Sequence, residues 1–142
     1  MITVADYFMG RRETHPLDLT PAIETEAHRT VDLANELLAA ALADGVEVGT
    51  SPATKTQVSS GWRPPDINAG TKGAAVNSKH MTGQAVDLYD PAPGKLKAWL
   101  MTGHGQAALM RIALWIEAPA STPTWAHVQS KPPGSGRRVF NP

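Results

Sequence analysis

The sequence predicts one domain that combines helices with short strands. Three observations lead there. At 142 residues, 42% of them hydrophobic, the chain has the length of one ordinary domain and enough apolar material to bury a core. A long run from Thr20 to Gly45 repeats its apolar residues at helical spacing, whereas several shorter stretches beyond it are rich in β-branched and aromatic residues. Proline and glycine punctuate the segments between them.

Taken in order, residues 1–20 mix charges, Thr and Pro without sustained periodicity and predict an irregular or briefly helical lead-in, with Val4, Tyr7 and Phe8 as a short apolar face. Thr20 is then a candidate N-cap, Pro21 suits the first helical position and Glu24 the first turn. Ile23, Ala27, Val31, Ala34, Leu37, Leu38 and Ala41 form one stripe, and Asp44-Gly45 ends the helix. His28 lies off that stripe and reads as solvated. Val46 to Pro52 predicts a short strand and turn, and Thr56 to Arg63 a second strand stopped by Pro64-Pro65. The polar, Gly- and Ala-rich stretch Asp66 to Asn77 predicts a loop. Ala85 to Tyr89 predicts a strand with Asp87 on the face of Ala85 and Tyr89, opposite Val86 and Leu88. After the turn Asp90 to Gly94 come two short helices joined around Gly103 and Gly105, which leaves His104 exposed in the turn. Leu114 to Glu117 and Trp125 to Gln129 predict two more strands, separated by a loop from Ala118 to Thr124. Residues 130–142 read as an extended tail in which Val139-Phe140 is a docking pair.

Composition removes several classes of function. Thirteen basic residues balance thirteen acidic ones, so no overall field favours nucleic acid or an anionic membrane. The N-terminus lacks a basic segment followed by an apolar run, and no apolar span approaches the roughly 20 residues of a membrane helix. These features predict synthesis in the cytoplasm and no membrane insertion. With no cysteine, any metal must be held by His, Asp or Glu, and zinc is the leading candidate.

His80 and Asp87 stand seven positions apart across Gly83, and His127 lies on a later strand. Three protein ligands with one open position is the arrangement of hydrolytic zinc sites. Arg63, at a strand end, is placed where its fork could grip a carboxylate.

Three segments occur in a fixed order: Ser60-Gly61-Trp62-Arg63-Pro64-Pro65, Ser78-Lys79-His80-Met81-Thr82-Gly83-Gln84-Ala85-Val86-Asp87, and Trp125-Ala126-His127-Val128-Gln129. Together they resemble the zinc D-alanyl-D-alanine carboxypeptidase and L-alanoyl-D-glutamate endopeptidase family. That family includes peptidoglycan-cleaving enzymes of bacteria and phage endolysins, and shares its fold with the hedgehog signalling domain. The resemblance runs from about Gln57 to Gln129. It implies an α+β fold, a small, mostly antiparallel sheet carrying the ligands and helices covering it. It implies further that His80, Asp87 and His127 bind one Zn2+ and that Arg63 pairs with a substrate carboxylate or carbonyl. Ser78 would either line the pocket or support it structurally.

In typical members an acidic general base stands three positions before the last zinc ligand, and here that position is Thr124. Glu117, the nearest upstream acid, is the candidate to replace it, the alternative being a strand-end Glu without a chemical role. Asp90 is a second, weaker substitute. The resulting expectation is a single zinc peptidase domain over residues 1–142, monomeric, acting on peptidoglycan peptide stems after an endolysin-like release through holin lesions. The competing expectation is a zinc-binding module without catalysis, binding wall peptides or structural in a virion.

Overall fold

A computed structural model describes residues 1–142. In chain order the elements are α1 (Val4–Phe8), α2 (Arg11–Thr14), α3 (Pro21–Ala43), β1 (Val58–Ser60), α4 (Pro65–Gly70), β2 (Ala85–Tyr89), α5 (Lys95–Leu100) and α6 (Gly103–Ile112). They continue with β3 (Trp115–Glu117), a 3-10 turn over Pro119–Ser121, β4 (Trp125–Gln129) and β5 (Val139–Phe140). The fold is α+β. No helix is long and apolar enough to cross a membrane.

The five strands form one sheet in the order β1-β2-β4-β3-β5. β1–β2, β2–β4 and β3–β4 pair antiparallel, but β3–β5 pair parallel. The sheet is therefore mixed, and the expectation of a mostly antiparallel sheet is corrected at this edge. The reason is geometric. The connection from Ser130 to Arg138 reverses the chain, so β5 runs against β4 and hence along β3, which is itself antiparallel to β4.

Local chemistry explains α3 well. The Thr20 hydroxyl accepts the Ile23 N–H at 3.2 Å, Pro21 opens the first turn and Asp44 caps the end, after which Gly45 turns away with φ +80°. Ala27, Val31, Ala34, Leu37, Leu38 and Ala41 are buried as the spacing predicts, and the polar Thr30 joins them. Its hydroxyl is satisfied by donating to the Gly83 carbonyl at 2.8 Å. One apolar core joins this helix face to Val86, Leu88, Ile116, Ala126 and Val128 on one side of the sheet. The other side is left for chemistry.

Elsewhere the elements depart from the expected ones. The lead-in is two short helices, α1 closed by a capping box between Thr3 and Asp6, and Tyr7 and Phe8 are fully buried core residues. Val46 to Pro52 forms no strand. Gly49 and Pro52 interrupt that stretch, and the Gln57 side-chain amide, rather than a ladder partner, donates to the Val48 carbonyl at 2.8 Å. The second strand shortens to Val58–Ser60 because the Trp62 N–H turns to the Tyr7 carbonyl and the Arg63 N–H to the His80 carbonyl. The predicted loop after it opens with α4, whose first turn takes Pro65. Gly103 and Gly105 lie inside the first turn of α6, where a Cβ on Gly105 would sit 2.2 Å from the Trp99 carbonyl oxygen. His104 is exposed as expected, but on a helix.

Candidate metal centre

The central strands bring two of the predicted ligands together. β2 and β4 pair with Asp87 opposite His127, and strand alternation puts both on the face away from Val86, Leu88, Ala126 and Val128. His80 arrives from the loop between Ser78 and Gly83. That loop closes with Gly83 at φ +76°, packed so tightly on α3 that a Cβ would fall 2.6 Å from the Ile23 carbonyl oxygen. Glycine is required there by both conformation and space. The Ser78 hydroxyl accepts the His80 N–H at 3.3 Å, so Ser78 shapes this loop as well as lining the cavity.

Three potential ligand atoms converge. His80 Nε2 lies 3.2 Å from His127 Nδ1 and 3.3 Å from Asp87 Oδ1, and His127 Nδ1 lies 2.8 Å from the same carboxylate oxygen. The far side of each ring decides which nitrogen is free. His80 Nδ1–H donates to the Gly61 carbonyl at 2.7 Å, and His127 Nε2–H to Gln129 Oε1 at 3.4 Å. Each imidazole thus aims its other nitrogen inward, and once any proton on that nitrogen is lost its lone pair faces the centre, the form that a metal requires. A tetrahedral centre with bonds of about 2.0–2.1 Å has ligand–ligand edges of ~3.3 Å. The observed triangle fits it with little adjustment, so His80, Asp87 and His127 could hold one metal ion.

Electrostatics agree with that reading. Burial alone would raise the Asp87 carboxyl, but the adjacent His80 charge and the hydrogen bonds from His127 and His80 push it well below the usual carboxylate range. His127 is pulled down by burial and up, more strongly, by its hydrogen bond to Asp87 and that residue's charge. For fully buried His80, burial outweighs Asp87 and lowers it. One proton shared between His127 and Asp87 satisfies one edge of the triangle; a dication satisfies all three.

A cavity of about 640 Å³ opens over this triangle and is lined by all six predicted site residues: Arg63, Ser78, His80, Asp87, Glu117 and His127. Arg63 is 8% exposed, with Nη2 3.7 Å from Asp87 Oδ2 and Nε buried without a partner. Glu117 reaches the cavity through the sheet. Trp115 pairs with Gln129 and Ile116 with Val128, and continuing that register sets Glu117 beside His127. Burial raises its carboxyl above the ordinary value, the charge of His127 opposes this and that of Asp87 adds to it. A second cavity of about 470 Å³, bordered by Pro93, Pro119 and Pro123, has Lys97 as its only ionisable lining residue.

Asp90 is excluded as a base. Its carboxylate accepts the Leu96 and Lys97 N–H groups at 3.0 and 2.9 Å at the start of α5 and does not line the cavity. Thr124, exposed, contributes only its carbonyl, which accepts the Asp90 N–H.

Four participants escaped the sequence reading: the Gly61 carbonyl, Gln129, Tyr7 and Phe140. Tyr7 donates its buried hydroxyl to the Ala85 carbonyl at 3.0 Å, pinning the start of β2. The Phe140 ring stands edge-on to His127 with centroids 6.2 Å apart. Gln129 was findable, since it follows His127 by two and shares its face. Gly61 acts through its backbone and Tyr7 across 78 positions, and neither leaves a local pattern.

Fold and site together define an α+β domain with a buried His–Asp–His donor set on the open face of its sheet. Comparison with protein family models, curated proteins and solved structures finds no match to this chain.

Proposed function

We propose that this chain is a zinc-dependent peptidase that hydrolyses an amide bond in the peptide stems of peptidoglycan, with the hedgehog/DD-peptidase type of fold. The observation that carries this reading is the triangle of converging ligand atoms on His80, Asp87 and His127 in the same cavity as Arg63 and Glu117. His, His and Asp without sulfur suit zinc, which when bound polarises a carbonyl and brings the pKa of water to ~7. The chain's own residues supply the rest. Arg63, its Nε lacking any internal partner, holds the substrate through a carbonyl or carboxylate oxygen. Glu117, its carboxyl raised by burial, accepts a proton from the attacking water and passes it to the departing amine. Gly61 and Gln129 keep both imidazoles in their orientation throughout.

Thr124 favours a second reading, a zinc-binding module that binds wall peptides without cutting them. Incubating the purified protein with peptidoglycan, with zinc and with chelator, separates the two. The peptidase releases new amino groups only with zinc, and mass spectrometry of the fragments identifies the bond. Zinc bound at one equivalent without amine release rejects the peptidase. The same fragments test whether the enzyme is a carboxypeptidase or an endolysin-like endopeptidase acting after cytoplasmic synthesis.

A further inference from the structure

The N-terminal lead-in contributes nothing to the lining of the metal cavity, yet it grips the segment that carries Arg63. Met9 and Gly10 are both left-handed, with φ +55° and +73°, and this turn between α1 and α2 brings the lead-in against the exit of β1. Three of its residues hold that exit. The Trp62 N–H donates to the Tyr7 carbonyl at 3.2 Å, the Gly61 N–H donates to Met9 Sδ at 3.3 Å, and the Arg11 guanidinium donates through Nη1 to the Trp62 carbonyl. From the other side, the His80 carbonyl accepts the Arg63 N–H at 3.1 Å. The peptide unit between Trp62 and Arg63 is therefore held at its oxygen and at its N–H, and because it is planar both contacts fix one orientation. Arg11 keeps this place against its own electrostatics. It is half-buried and forms no ion pair within the chain, and burial and, next, the charge of Arg63 lower the pKa of its guanidinium from the ordinary value. A cation kept near another cation, with a backbone carbonyl as its only partner, points to a task at the site.

We propose that Arg11 is a positioning residue for Arg63: through the Trp62 carbonyl it fixes the peptide unit from which the substrate-holding guanidinium projects. Arg63 Nη2 then lies 3.7 Å from Asp87 with its Nε unpartnered, and the like charge of Arg11 disfavours a turn of that side chain toward α2. This rests on the peptidase reading, in which Arg63 holds a carbonyl or carboxylate oxygen of the substrate, and adds the residue that keeps the hold in place. A misplacement of about 1 Å at such a contact costs on the order of a hundredfold in rate, so a fixed peptide plane matters to turnover and not to stability alone.

The test is a double-mutant cycle on the zinc-loaded protein, comparing Arg11→Ala, Arg63→Ala and the two together. kcat/KM is measured on a stem peptide, and binding of the same peptide, labelled, is measured by anisotropy in a Glu117→Gln background. Arg11→Ala should keep zinc at one equivalent and lower kcat/KM roughly ten- to a hundredfold, with weaker peptide binding. Once Arg63 is already Ala, removing Arg11 should change neither quantity beyond about twofold; a purely structural residue would cost the same in both backgrounds. The cycle is repeated with Arg11→Gln, which retains a donor without the charge. Equal losses with and without Arg63, no loss at all, no peptide binding, or loss of zinc and fold in both Arg11 variants overturns the proposal. Coupled losses of binding with no turnover by the unaltered protein keep Arg11 in its role and reject the peptidase.

Discussion

The metal triangle depends on which proton each ring carries. His80 Nε2 and His127 Nδ1 face inward because Gly61 and Gln129 take the opposite N–H groups. Replacing His80 by Ala removes a donor from the triangle, and zinc affinity should fall at least about a hundredfold, beyond the loss typical of outer-shell changes; equilibrium dialysis measures it. Glu117→Gln should behave differently. Zinc stays at one equivalent while kcat drops by roughly 10²–10⁴, the usual contribution of a general base. Acid should also release the metal. His127 is raised above and Asp87 depressed below its ordinary value, so in the metal-free protein the proton sits on His127. Loading must displace it. Apparent affinity should fall about tenfold per pH unit below the raised His127 value and level off above it, as chelator competition across a pH series would record.

Single glycines hold the elements around the site. Gly83 lets the His80 loop lie on α3, and Gly61 lets the exit of β1 touch the end of α1, where a Cβ would be 1.9 Å from the Tyr7 carbonyl oxygen. Neither obstacle is a movable side chain; both are backbone. Gly83→Ala adds an unfavourable φ to the clash and should cost about 3 kcal/mol or more of stability, with weaker zinc binding because His80 moves with the loop. Denaturant unfolding with and without zinc checks both halves. An unchanged midpoint would contradict the packing described.

Across the molecule, the donors come from β2, β4 and the loop anchored on α3, so a bound ion ties together segments distant in sequence. Zinc at a thousandfold excess over its Kd should stabilise the fold by about 4 kcal/mol, which for a domain of this size raises Tm by on the order of 10 °C. A chelator should reverse the shift, and the His80→Ala protein should show little of it in a thermal melt. A zinc-independent Tm in the unaltered protein would mean that the triangle does not hold the ion.

What could be read from the sequence alone was whatever neighbouring residues decide. Thr20, Pro21 and Gly45 mark both ends of α3 through caps and φ preferences, and alternation assigns Asp87 and His127 to the faces of β2 and β4. The donor residue types follow from the absence of cysteine. Other features arise only when distant segments meet. The Gly61 carbonyl orients His80 after α1, β1 and the His80 loop have packed together, and Tyr7 becomes core because α1 folds under the sheet. The parallel course of β5 follows from where the tail finds a free edge. The approach of Glu117 to His127 depends on the β3–β4 register. Such contacts are set by burial and pairing across the chain, for which no stretch of a few residues carries a code, and so only the tertiary structure could decide them.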